Sequence, residues 1–103
     1  MSFIYHVTTK QAWNAAQENG YYTTHSLETE GFIHCSEAQQ VEGVLQRYYQ
    51  GQTDLIKLVI DPQKLQYELK YEMAPSINEK FPHVYGPINL DSVVDVVEIK
   101  QSV

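Results

Sequence analysis

Hydrophobic positions along the chain change their spacing several times, and each change marks an element. Phe3-Ile4-Tyr5-His6-Val7 is aromatic and β-branched, which predicts a short strand. Thr8 then offers an N-cap hydroxyl with Gln11 three residues on to complete a capping box, and Ala12, Trp13 and Ala16 share one helical face. Gly20 stops that helix, because glycine enters the left-handed C′ conformation without a Cβ clash. Tyr21 to Thr24 predicts a second strand, and Ser26 to Gly31 a polar loop. Phe32-Ile33-His34-Cys35 predicts a compact strand, after which Ser36 and Gln39 repeat the capping pattern. Ala38, Val41, Leu45 and Tyr48 recur at three- and four-residue spacing, the mark of an amphipathic helix that ends before Gly51.

Beyond Gly51 the strand pattern dominates. Leu55 to Ile60 is an almost unbroken apolar run, predicting a central strand closed by the turn opener Asp61-Pro62. Leu69 to Met73 predicts another strand, and Ala74 to Asn78 a loop. Phe81 to Pro87 contains Pro82, Gly86 and Pro87, which predicts a turn-rich segment and excludes an ordinary central strand, since proline removes ladder donors. Val93 to Ile99 predicts the last strand. Two helices in the N-terminal half and several strands after them exclude a regular βαβ alternation. They predict an α+β fold in which small, mainly antiparallel sheets pack with the helices.

At 103 residues the chain fits one domain, residues 1–103, and its 43% hydrophobic content suffices for a core without a metal or disulfide staple. No repeat, linker or low-complexity stretch interrupts it. Cys35 is the single cysteine, so no intramolecular disulfide forms, which points to the cytoplasm. Met1 to His6 lacks the basic and apolar regions of a signal peptide, and no stretch approaches the ~20 apolar residues of a membrane span. The net charge of −6 and the single arginine, Arg47, argue against a broad nucleic-acid surface, whose affinity comes from Lys and Arg neutralising phosphates. Eight tyrosines supply rings that suit both a small core and the wall of a pocket.

Three of the four histidines, His6, His34 and His83, sit near the ends of predicted elements, where side chains commonly meet around a cleft; His25 lies in the polar loop. A single histidine in such a place is more often a hydrogen-bonded structural residue. Three of them point to at least one with chemistry, and the expectation is a pocket lined by all three. None has the short paired spacing of a zinc site, so no metal is expected. Alternation along a strand puts Cys35 on the face opposite His34, which makes Cys35 a core residue rather than a nucleophile. No Gly-rich phosphate loop, Gly-x-Ser-x-Gly elbow or His-Glu-x-x-His helix is present.

Tyr5-His6-Val7-Thr8, Glu30 to Ser36 followed by Gln39-Gln40, Leu58 to Asp61, and Phe81 to Pro87 together resemble the bacterial family catalogued as domain of unknown function 952, over roughly Phe3 to Ile99. That family is similar in fold to ADP-ribosyltransferases, whose two small sheets flank a cleft that holds NAD. The resemblance implies a ribose-binding role for His6 and Thr8, which match a His-x-Thr on the first strand, and an aromatic surface followed by a serine at Phe32 to Ser36. A glutamate normally completes the site, but Phe81 to Tyr85 offers His83 and Tyr85 and no carboxylate.

Two functions follow. One is an ADP-ribosyltransferase-like enzyme acting on NAD or another nucleotide, with His34 and His83 as the catalytic groups and His6, Thr8, Ser36 and Tyr85 binding the ligand. The other is a noncatalytic nucleotide or small-ligand module that has lost the carboxylate. RNA 2′-phosphate transfer would need several cations around the phosphate, which Arg47 alone does not supply.

Overall fold

The computed structural model describes residues 2–100. Strand β1 (Ile4–Thr9) leads into helix α1 (Lys10–Asn19), strand β2 (Tyr21–Tyr22), helix α2 (His25–Glu30), strand β3 (Ile33–His34) and helix α3 (Val41–Tyr48). Strands β4 (Leu55–Ile60), β5 (Leu69–Ala74), β6 (Glu79–Val84), β7 (Ile88–Asn89) and β8 (Val93–Glu98) complete the chain. The fold is α+β, and every strand pair is antiparallel. The strands form a sheet ordered β1-β4-β8, a second ordered β3-β6-β5, and a short β2-β7 ribbon.

At the centre of the first sheet β4 is buried on both faces, which is why it reads as a continuous apolar run. Its Ile56, Leu58 and Ile60 join Ile4, Ala16, Tyr22, Ile33, Cys35, Val84 and Ile88 in the main core. Leu55 packs from the opposite face with Val7 and Val41, supported by Leu45 and Tyr49. The sequence pattern assigned the inward position to Tyr48, but that ring is 63% exposed and Tyr49 turns inward instead, from the residue that closes α3. The two larger sheets are stitched where the Tyr5 N–H donates to the Ser36 carbonyl at 2.8 Å and the Ser36 N–H donates back at 2.7 Å.

Both helix starts fall one residue later than the capping pattern predicts. Thr9, not Thr8, accepts the Ala12 N–H at 3.0 Å and caps α1. Glu37, not Ser36, forms a capping box with Gln40 at the one-turn 3-10 helix Ala38–Gln40 that precedes α3. Each expected cap is spent elsewhere, because Thr8 and Ser36 are buried against the core. Gly20 closes α1 with φ 90°, as its lack of a Cβ allows. Helix α2 replaces the expected polar loop; it buries no residue, so no apolar stripe announced it.

Strand β6 overturns a second expectation, since it is the centre of its sheet although it contains Pro82. Within a strand a residue's N and C=O point to the same neighbour. The Pro82 carbonyl accepts from the Cys35 N–H at 2.9 Å, so its nitrogen also faces Cys35, just past the end of two-residue β3. The missing donor therefore falls where the ladder has already ended, and pairing with β5 is untouched.

Candidate functional site

The second sheet gathers the chemistry. His34 on β3 lies opposite His83 on β6, which lies opposite Lys70 on β5. Side chains two residues apart share a face, so Phe32, Tyr85 and Glu72 join them there. The core packs against the other face through Ile33, Val84 and Leu69.

The contacts on this face are specific. The His34 and His83 rings are 5.1 Å apart, edge to face. Phe32 stacks on His83 at 4.0 Å and meets the His34 and Tyr85 rings at 4.8 and 5.4 Å. Glu72 Oε1 accepts from His83 Nδ1 at 2.8 Å and from the Tyr85 hydroxyl at 2.5 Å. Those two donors, Tyr85 foremost, hold the Glu72 carboxyl below the ordinary carboxylate range. Glu72 in turn pushes the Tyr85 hydroxyl up to about 12, with desolvation adding to the effect. The pair is therefore an ionised carboxylate and a protonated phenol at neutral pH. His34 is half-exposed, with Nε2 3.1 Å from Glu30 Oε2 at the end of α2. Lys70 Nζ sits 5.0 Å from the centre of the Tyr85 ring.

His6 lies inside. Its Nδ1 donates to the His34 carbonyl at 2.6 Å, and its Nε2 is 2.7 Å from the Tyr22 hydroxyl. That hydroxyl is also 2.9 Å from Thr8 Oγ1. His6, Tyr22 and Thr8 are all buried. Burial lowers the His6 pKa to about 4 against the raising effect of the carbonyl bond, so the ring is neutral at pH 7. A neutral ring that donates from Nδ1 accepts at Nε2, which makes Tyr22 the donor to His6.

The expected pocket of three histidines is thus divided: His34, His83 and Tyr85 share the outer face, while His6 and Thr8 form a network within the core. Ser36 occupies the seam between the sheets. Cys35 is buried, and burial pushes its thiol up to about 12. Sequence reasoning missed Glu72 and Glu30. Glu72 stayed hidden because the segment after the Ala74–Asn78 turn reads as turn-rich, whereas it forms β6, whose antiparallel pairing with β5 puts Glu72 on the same face as His83.

Two hollows open elsewhere. One of about 570 Å³ is bordered by Tyr21, Tyr67 and Asp91, the other of about 290 Å³ by Phe3, Tyr5 and Tyr71. Neither is lined by a histidine. Among the described residues no group of three His, Cys, Asp or Glu side chains is placed to hold a metal ion, and no helix is long and apolar enough to cross a membrane.

This small antiparallel α+β fold is shared with solved structures. The chain is similar to the crystal structure of protein CC0527 from Caulobacter crescentus, with a TM-score of 0.89, 25% identity, and 98% of this chain and 89% of that one covered. Its solution NMR structure matches with a TM-score of 0.85 and 26% identity over 99% of this chain and 88% of that one. Both are structural-genomics targets. The family described as "Protein of unknown function (DUF952)" matches residues 7–96, and the chain belongs to that family. No curated protein matches.

Proposed function

We infer that the outer histidine face binds a nucleotide of the NAD type and acts on its N-glycosidic bond, in the manner of ADP-ribosyltransferases. The observation that carries this reading is Glu72. The carboxylate absent from Phe81 to Tyr85 is supplied by the neighbouring strand, in contact with both His83 and Tyr85. As the bond between C1′ and the nicotinamide nitrogen breaks, its electron pair leaves with nicotinamide and positive charge grows on the ribose. An ionised carboxylate fixed beside that charge favours the transition state. Water or another hydroxyl then bonds to C1′ and gives its proton to a base, for which half-exposed His34, held by Glu30, is suited. Phe32 provides the aromatic surface for the nicotinamide ring. His6 and Thr8 support this face from beneath, through the His34 carbonyl.

One observation favours the noncatalytic reading: Glu72 Oε1 already accepts two hydrogen bonds from the protein, the arrangement of a structural carboxylate. A single experiment separates the two. The purified protein is incubated with NAD while nicotinamide release is followed by chromatography and the melting temperature is recorded with NAD or ADP-ribose. The enzyme reading expects release that falls at least about a hundredfold in Glu72→Gln, the size of effect lost with one electrostatic transition-state contact. A raised melting temperature without release supports the binding module. Neither release nor a shift contradicts both.

A further inference from the structure

We propose that the hollow between Tyr21 and Tyr67 is a second ligand site, separate from the histidine face, which takes a phosphate-free planar heterocycle carrying an amino group, such as the base of a nucleoside. It measures about 570 Å³, within the range of small-ligand sites, which run from roughly 300 to 1,000 Å³.

Tyr67 is the first support. The residue is 50% exposed, yet its ring lies directly against Gly86. A Cβ at residue 86 would stand 2.2 to 2.6 Å from three atoms of that ring. Gly86 does not have a positive φ, so backbone conformation does not call for glycine there, whereas the close approach does. One face of the Tyr67 ring is thus seated on backbone. Tyr21 is 46% exposed on the same hollow, and among the described residues neither ring stacks on another aromatic ring.

Asn89 is the second support. Its Nδ2 donates to the Lys64 carbonyl at 2.8 Å and to Asp91 Oδ1 at 2.6 Å, while its Oδ1 accepts the Gln66 N–H at 3.2 Å. The Glu68 carbonyl on the far side of Tyr67 accepts the Tyr85 N–H at 2.8 Å. The segment carrying Tyr67 is therefore tied down at both ends, and Asp91 is held at the rim, with its second oxygen accepting no hydrogen bond among the described residues.

The ligand class follows from these groups. Exposed phenol rings stack on a flat heterocycle whatever its identity. The Asp91 carboxylate only accepts, so it calls for a donor on the ligand, which the amino group of a base supplies. No Lys, Arg or His lines the hollow, which disfavours a phosphate.

Adenosine, purine riboside and AMP are titrated into the whole protein and followed by heteronuclear NMR. Adenosine is expected to saturate with shifts at Tyr21, Tyr67 and Asn89, while purine riboside, which carries a hydrogen in place of the amine, and AMP both bind more weakly. Tyr67→Ala, with its fold checked by circular dichroism, is expected to weaken adenosine about tenfold, the effect of losing one base-stacking ring. His83→Ala leaves adenosine binding unchanged. The proposal is overturned if adenosine gives no saturable shift at these residues, if purine riboside binds as tightly, or if a methyl pyranoside saturates the hollow and adenosine does not.

Discussion

His6 and His83 are both buried, lie on neighbouring sheets and are hydrogen-bonded, yet their partners give them opposite characters. His6 spends both ring nitrogens on protein, one on the His34 carbonyl and one on the Tyr22 hydroxyl. His83 spends Nδ1 on Glu72, its one hydrogen bond among the described residues, on a face where Glu72, His34 and Lys70 reach solvent. Burial alone does not separate a structural histidine from a working one. What separates them is whether the polar groups around the ring close on each other within the core or remain open to a ligand.

The largest test of that contrast deletes one ring of each kind. His6→Ala removes a buried ring together with its hydrogen bonds to the His34 carbonyl and the Tyr22 hydroxyl, so chemical denaturation at pH 7 is expected to show a loss of about 3 kcal/mol. His34→Ala, at a half-exposed ring, is expected to stay within about 0.5 kcal/mol of the parent. Equal losses would erase the contrast.

Proton linkage gives the next effect. The folded His6 pKa of about 4 lies below the ordinary 6.5 of an unfolded histidine. Between these values the unfolded chain binds more protons, so stability rises with pH and is lost as pH falls from about 6.5 toward 4. Lowering the pH from 7.5 to 5 is expected to cost about 2 kcal/mol through His6. In His6→Gln, measured by the same denaturation series, this part of the slope disappears.

Two hydroxyl deletions sharpen the comparison further. Tyr22→Phe leaves the buried Nε2 of His6 without its donor and is expected to cost about 1–2 kcal/mol in thermal or chemical unfolding. Tyr85→Phe is expected to change stability least of all these variants, but to raise the Glu72 pKa toward the ordinary carboxylate value. The hydroxyl it removes is the main reason that pKa is low. Carboxyl-carbon NMR across a pH titration reads this directly.

The same contrast explains what was legible in the sequence. Strand β4 emerged with its observed limits because both its faces are apolar, and Cys35 was placed in the core by alternation alone. The helix starts slipped by one residue because Thr8-Thr9 and Ser36-Glu37 each present two capping side chains in tandem, and only tertiary burial decides which is free to cap. Strand β6 was obscured by Pro82, whose lost donor is harmless only because β3 is two residues long. His34, His83 and Tyr85 could be picked out as residue types. That His6 turns inward depends on Tyr22, sixteen residues away on another element, and the role of Glu72 depends on strand register. Neither is a property of a local pattern.

The division of the histidines into an inner support and an outer site is tested most directly by titrating NAD into the protein while recording side-chain NMR signals. The account predicts saturable shifts at Phe32, His34, His83 and Tyr85, with the His6 and Tyr22 ring signals almost unmoved and the same pattern weakened in Glu72→Gln. Shifts centred on His6, Thr8 and Tyr22, with the outer face silent, would contradict it.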